Sequence, residues 1–169
     1  MADVQTASLY EQDFHQWALD QARAVRELRD AAARPGAART VRHALDWDNL
    51  IEELEGLAKG VRSELRSRLL TIIQHLVKLE LSTAVDMRHG WEETVQRSRL
   101  EVEILLDDNP SLRREVPALL IAPVMAKAAK TSVDDLVRRG EVPADTSIPS
   151  YTQIQLMDDW WPKQNGAEA

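Results

Sequence analysis

The residues of this 169-residue chain best placed to do chemistry surround His75. Wound at 3.6 residues per turn, Glu53, Glu64, Arg68, Thr71, His75, Lys78 and Ser82 form a polar arc along one helix flank. An imidazole among carboxylates and cations can act as a general acid–base, or bind a metal or small anion in a polar core seam. Buried polar groups must be satisfied, so such a seam needs partners on other helices, and Arg88, Trp91 and Arg99 are the nearest in sequence. The plainer reading pairs Arg68 with Glu64, four residues away, and leaves His75 as a satisfied histidine at the core border. Helical zinc and iron sites present paired ligands such as HExxH or ExxH. Neither occurs. The nearest pattern, Asp86-x-x-His89, falls near a helix start, and His15 and His43 add no pair. These residues name no cofactor, which stays unknown at this level.

Asp46, Asp48, Glu52, Glu53 and Glu55 could hold a divalent cation, but acidic residues in a first helical turn already complement the helix dipole. Lys59, Arg62, Arg66 and Arg68 follow on the same helix. This acid-then-base order makes a dipolar surface suited to steering a partner. Nucleic-acid contact through Lys59–Arg68 is a second alternative, although a formal charge of −7 argues against broad phosphate binding. No G-x-S-x-G, P-loop or dinucleotide fingerprint supports nucleophilic or nucleotide chemistry. The absence of cysteine removes disulfides, thiolate metal sites and thiol nucleophiles.

The element that positions these groups runs from Asp46 to Ser82 without a proline. Leu50, Leu54, Leu57, Val61, Leu65, Leu69, Ile72, Leu76 and Leu79 recur on one side of a helix that would span roughly 55 Å. Asp46 is its N-cap, with Leu45 and Leu50 spaced as a hydrophobic staple. From Leu69 onward, apolar residues cover most of the circumference, which predicts burial nearly all round. The half before Gly60 is more amphipathic and predicted to be partly exposed. Gly56 and Gly60 predict either a closely packed neighbouring helix or a kink.

A first helix is expected from about Leu9, capped by Ser8 with Glu11, its face carrying Phe14, Trp17, Ala18, Val25 and Leu28 and its end before Pro35-Gly36. Residues 35 to 45 form a connector. A third helix spans about Gly90 to Leu106 with Trp91, Val95, Val102, Leu105 and Leu106 inward. Asn109-Pro110 starts a short helix to 116, and a longer one kinked at Pro123 follows over 118 to 139, closed by Gly140. Tyr151 to Met157 forms a short helix, and Trp160-Trp161-Pro162 anchors the tail.

Several of these pieces resemble the bacterial family catalogued as "domain of unknown function 29". They are Tyr10-Glu11-Gln12-Asp13-Phe14 with Trp17-Ala18, the run Asp46-Trp47-Asp48-Asn49-Leu50-Ile51-Glu52-Glu53-Leu54-Glu55, Arg62 to Leu69, and His75-Leu76-Val77-Lys78-Leu79. Trp91, Pro110-Ser111-Leu112-Arg113 and Asp159-Trp160-Trp161-Pro162 continue the match over about residues 10 to 162. The resemblance implies a compact all-helical bacterial domain and carries no activity and no functional residue. The 31 to 43 connector and Leu79-Glu80 depart from the family pattern.

The chain therefore reads as all-α: an irregular helical bundle of four to six helices built on one long central helix at about 46–82. It is expected to be a single domain over 8–162 with a disordered tail at 163–169. Met1 to Leu19 lacks a signal-peptide pattern, and the longest apolar run, Ala118–Ala122, is five residues, far short of a membrane span. A cytoplasmic location is expected. The leading functional expectation is a non-enzymatic protein-interaction module, a homo-oligomer or the binder of a protein partner. The alternative is the ligand site made by Glu53, Glu64, Arg68, His75, Lys78 and Trp91.

Overall fold

A computed structural model describes residues 9–34 and 45–163, and the described residues are helical or irregular, with no strand among them. The helices are α1 (Phe14–Ala32), α2 (Trp47–Leu81), α3 (Arg88–Asp108), α4 (Val116–Leu120), α5 (Pro123–Arg138) and α6 (Gln153–Met157). Short 3-10 turns lie at Val85–Met87 and Pro110–Arg114. Two compact units emerge from the contacts. One comprises the described residues up to Glu64 with Leu106–Arg113, the other Leu65–Leu105 with the described residues from Arg114 onward.

In the first unit, residues 9–12 make a helical turn, and the chain breaks at Asp13, whose carboxylate caps α1 by accepting from the Gln16 amide at 2.8 Å. The start expected at Leu9 is thus followed by a second one, while Ser8 lies outside the described residues, as do the 35–44 connector and the 164–169 tail. Helix α1 buries His15, Ala18, Ala22 and Ala32. Of the face expected from sequence, Ala18 is buried, Phe14, Trp17 and Val25 are half-buried, and Leu28 is exposed. Tyr10, Phe14 and Trp17 instead form an aromatic cluster, with ring centroids 4.8–5.6 Å apart.

Helix α2 starts as predicted, Asp46 accepting from the Asn49 amide at 3.3 Å. It continues unbroken past both glycines, and a Cβ at Gly56 or Gly60 would meet nothing within 4 Å. The close helix contact expected there is not made by the described residues, because both positions lie opposite the buried line Ile51–Ala58.

The second unit is built on the rest of α2. Leu65, Leu69, Ile72, Ile73, Leu76, Val77 and Leu79 are all buried, as the nearly all-round apolar pattern predicted. Val95, Ser98 and Val102 of α3 are buried with this unit. The single kinked helix expected over 118–139 is two helices. Ala122 is extended (φ −62°, ψ 140°) and Pro123 occupies the first turn of α5, because a proline disfavours helix at the residue before it and has no amide to lose at a helix start. Gly140 closes α5 at φ +73°. Its amide reaches Val137 O at 2.9 Å and that of Glu141 reaches Leu136 O at 3.0 Å, the paired bonds of a glycine-terminated helix.

Candidate functional site

The structure divides the sequence-predicted seam. Glu53 and Glu64, both exposed, belong to the first unit, while Arg68, His75, Lys78 and Trp91, all half-buried, belong to the second. His75 Nδ1 lies 2.9 Å from Thr71 O. A carbonyl only accepts, so Nδ1 carries the ring proton and Nε2 the lone pair. Burial pushes the imidazole pKa below its usual value, against the smaller upward pull of the Thr71 carbonyl, and Lys78 adds to the decrease. His75 is therefore neutral at pH 7. Arg68 is 3.0 Å from Glu101. Among the described residues, no three histidine, aspartate or glutamate side chains gather closely enough to hold a metal ion.

Arg88 and Arg99, the expected seam partners, are spent on main-chain carbonyls. Arg88 Nη1 donates to Leu79 O at 2.7 Å and closes the end of α2. Arg99 reaches the C-terminal segment: Nε donates to Leu156 O at 3.0 Å, and Nη2 to Gln155 O at 2.9 Å and Trp160 O at 2.6 Å. Its guanidinium lies 4.8 Å from the centre of the Trp161 ring. Burial lowers its pKa, partly offset by Asp159 and Asp158. A planar fork of five donors can gather carbonyls from three residues at once, which lysine cannot do. The expected tryptophan anchor exists, and Arg99 is what holds it.

Sequence reasoning missed the tightest polar cluster, which lies in the first unit. Asp13, His15 and Asn109 are buried there and Ser111 half-buried. Asp13 precedes α1 and Asn109 precedes the Pro110–Arg114 turn, and the side chain of each accepts from an amide of the other's element. Asn109 Oδ1 accepts from the His15 amide at 2.9 Å, and Asp13 Oδ2 accepts from the Ser111 amide at 2.6 Å. The Ser111 hydroxyl stands 2.9 Å from Asp13 Oδ1 and 3.0 Å from His15 Nδ1. An ionised carboxylate can only accept, so the hydroxyl donates to Asp13 and accepts from the imidazole. A serine nucleophile needs the reverse, with the imidazole taking the hydroxyl proton. Aspartate, histidine and serine meet here as a clamp between two helix starts. Asp13-x-x-Gln16 and Asn109-Pro110 were legible as caps; their exchange across more than ninety positions was not.

Residues 9–161 match the family described as "Domain of unknown function DUF29", and the chain belongs to it. Among solved structures, the chain is similar to a crystal structure of an alpha-helical protein of unknown function from Rhodospirillum rubrum, with a TM-score of 0.64, 20% identity and 89% of each chain covered. That likeness shows the all-helical fold. No curated protein matches. Among the described residues, no helix is long and apolar enough to cross a membrane.

Proposed function

We propose that this protein is a non-enzymatic self-association module, two copies pairing through the outer face of the first half of α2. The carrying observation is that Gly56 and Gly60 lie exposed on that face with no described residue within 4 Å of where a Cβ would sit, so a second backbone can approach closely. Charge order selects a second copy as the partner. Glu52 and Glu53 precede Gly56, Lys59 lies between the two glycines, Arg66 follows Gly60, and all four side chains are exposed. An antiparallel copy sets the acidic end of each helix against the basic end of the other, which makes the contact self-complementary about a two-fold axis. Leu50 and Leu57, 39% and 45% exposed, flank the glycines and supply apolar area.

The test is light scattering with size exclusion on the full chain across a concentration series. A dimer is expected, and Gly56→Leu with Gly60→Leu should return it to a monomer of unchanged helicity. Glu52→Arg with Glu53→Arg should weaken it, and mixing that variant with Lys59→Glu, Arg66→Glu should restore it as a heterodimer. A monomer at every concentration would remove the reading.

A further inference from the structure

The second unit carries a half-open cavity of about 510 Å³, within the roughly 300–1,000 Å³ that small-molecule sites occupy. One wall is α5 and another the irregular stretch 148–151, with the buried side chains of Ile73 and Leu156 also in its lining. The space exists for a local reason. Helix α5 turns Ala126 and Ala129 toward it, and those side chains are short. Pro143 and Pro149 keep the opposite stretch out of helix, so no second row of long side chains fills the gap.

Aliphatic residues dominate the lining. Tyr151 is an exception, but its hydroxyl already donates to Glu80 Oε2 at 2.8 Å. Burial and the Glu80 carboxylate push its pKa well above the usual phenol value, so it stays neutral. The remaining polar groups, Lys127, Lys130 and Ser150, are solvent-exposed. Lys130 is held by both oxygens of Asp134 at 2.7 and 2.8 Å. Lys127 has no ion-pair partner among the described residues.

We infer that this cavity binds a single-chain aliphatic carboxylate, its chain against Ile73, Leu120, Met125 and Leu156 and its head group on Lys127 and Ser150. Charge and shape select that class. A cationic amphiphile would meet two ammonium groups at the rim, and a small hydrophilic anion would leave the apolar interior empty. A neutral hydrocarbon would make no use of the Lys127 ammonium. The inference is independent of the proposed self-association.

The experiment is calorimetric titration of the full chain with decanoate below its micelle concentration, beside decanol and acetate. Saturable binding of one decanoate per chain is expected, with decanol weaker by about tenfold and acetate silent. Ala126→Trp, at an exposed position lining the cavity, should abolish binding while leaving the circular dichroism spectrum and thermal midpoint in place. Lys127→Glu should weaken decanoate and leave decanol unchanged. No saturable decanoate binding, binding that survives Ala126→Trp, or equal affinity for decanoate and decanol would each overturn the inference.

Discussion

The two compact units bury different kinds of residue, although α2 serves both. The first buries fewer large side chains: Leu106 and Leu112 from its 106–113 segment and Ile51 from α2, with the small Ala58, three alanines and His15 of α1, and the polar Asp13 and Asn109. The second buries seven large aliphatic residues from α2 alone, between Leu65 and Leu79. Ile51, Ala58, Leu65, Ile72 and Leu79, seven residues apart, mark one buried line along the whole helix. Only in the second unit do Leu69, Ile73, Leu76 and Val77 widen it. A fully buried leucine or isoleucine side chain stabilises by roughly 1.5–3 kcal/mol, and alanine offers much less area. The first unit therefore depends in larger share on its exchanged caps and on the exposed ion pairs Arg26–Glu55 and Arg29–Asp48, each of small worth. One helix can thus stabilise its surroundings in two ways, by apolar bulk or by ordering polar chain ends.

The contrast breaks most readily in the second core. Leu76→Ala removes a fully buried side chain and should cost about 3–5 kcal/mol in urea unfolding. The same truncation at Leu57, in the exposed flank, should cost less than about 0.5 kcal/mol. Equal losses at the two sites would mean the halves of α2 are packed alike.

Next in size is the clamp. Asp13→Ala takes the acceptor from two amides and the Ser111 hydroxyl and should cost about 2–3 kcal/mol. Amide hydrogen exchange should rise first at the start of α1 and around Ser111, with the second unit's core amides protected. Uniform deprotection would show one cooperative structure instead of two differently held units.

The smallest effect is pH-dependent and belongs to the second unit. His75 has a folded pKa below its unfolded value of about 6.5. The unfolded chain therefore binds the proton first, and stability falls as pH drops from 6.5 toward the folded pKa, below which the loss is complete. His75→Gln should flatten that part of a pH series of urea midpoints while leaving the midpoint at pH 8 nearly unchanged. A slope that persists in the variant would assign the dependence to other groups.

Much of the fold was legible in the chain. The α2 pattern, the Asp46 cap, the Gly140 stop and the short final helix rest on local rules: periodicity, side-chain-to-amide reach and the left-handed conformation open to glycine. The readings that failed required knowing what lay opposite. Gly56 and Gly60 look the same in sequence whether a helix covers them or solvent does. Leu28 carries an apolar side chain on a helix whose neighbour contacts fall elsewhere. The candidate site was the least legible, because spacing along one helix brings residues to a flank but not to a common centre.

What the amino-acid order determined by itself is the set of helices and most of their ends, since each depends on contacts within about four residues. Tertiary structure decided the rest. It placed His15 in the interior, exchanged the caps of Asp13 and Asn109, gave Arg99 three carbonyls and an indole face, and left a cavity beside α5. Each of these joins groups tens of positions apart, and chain connectivity imposes no distance between them until the units pack.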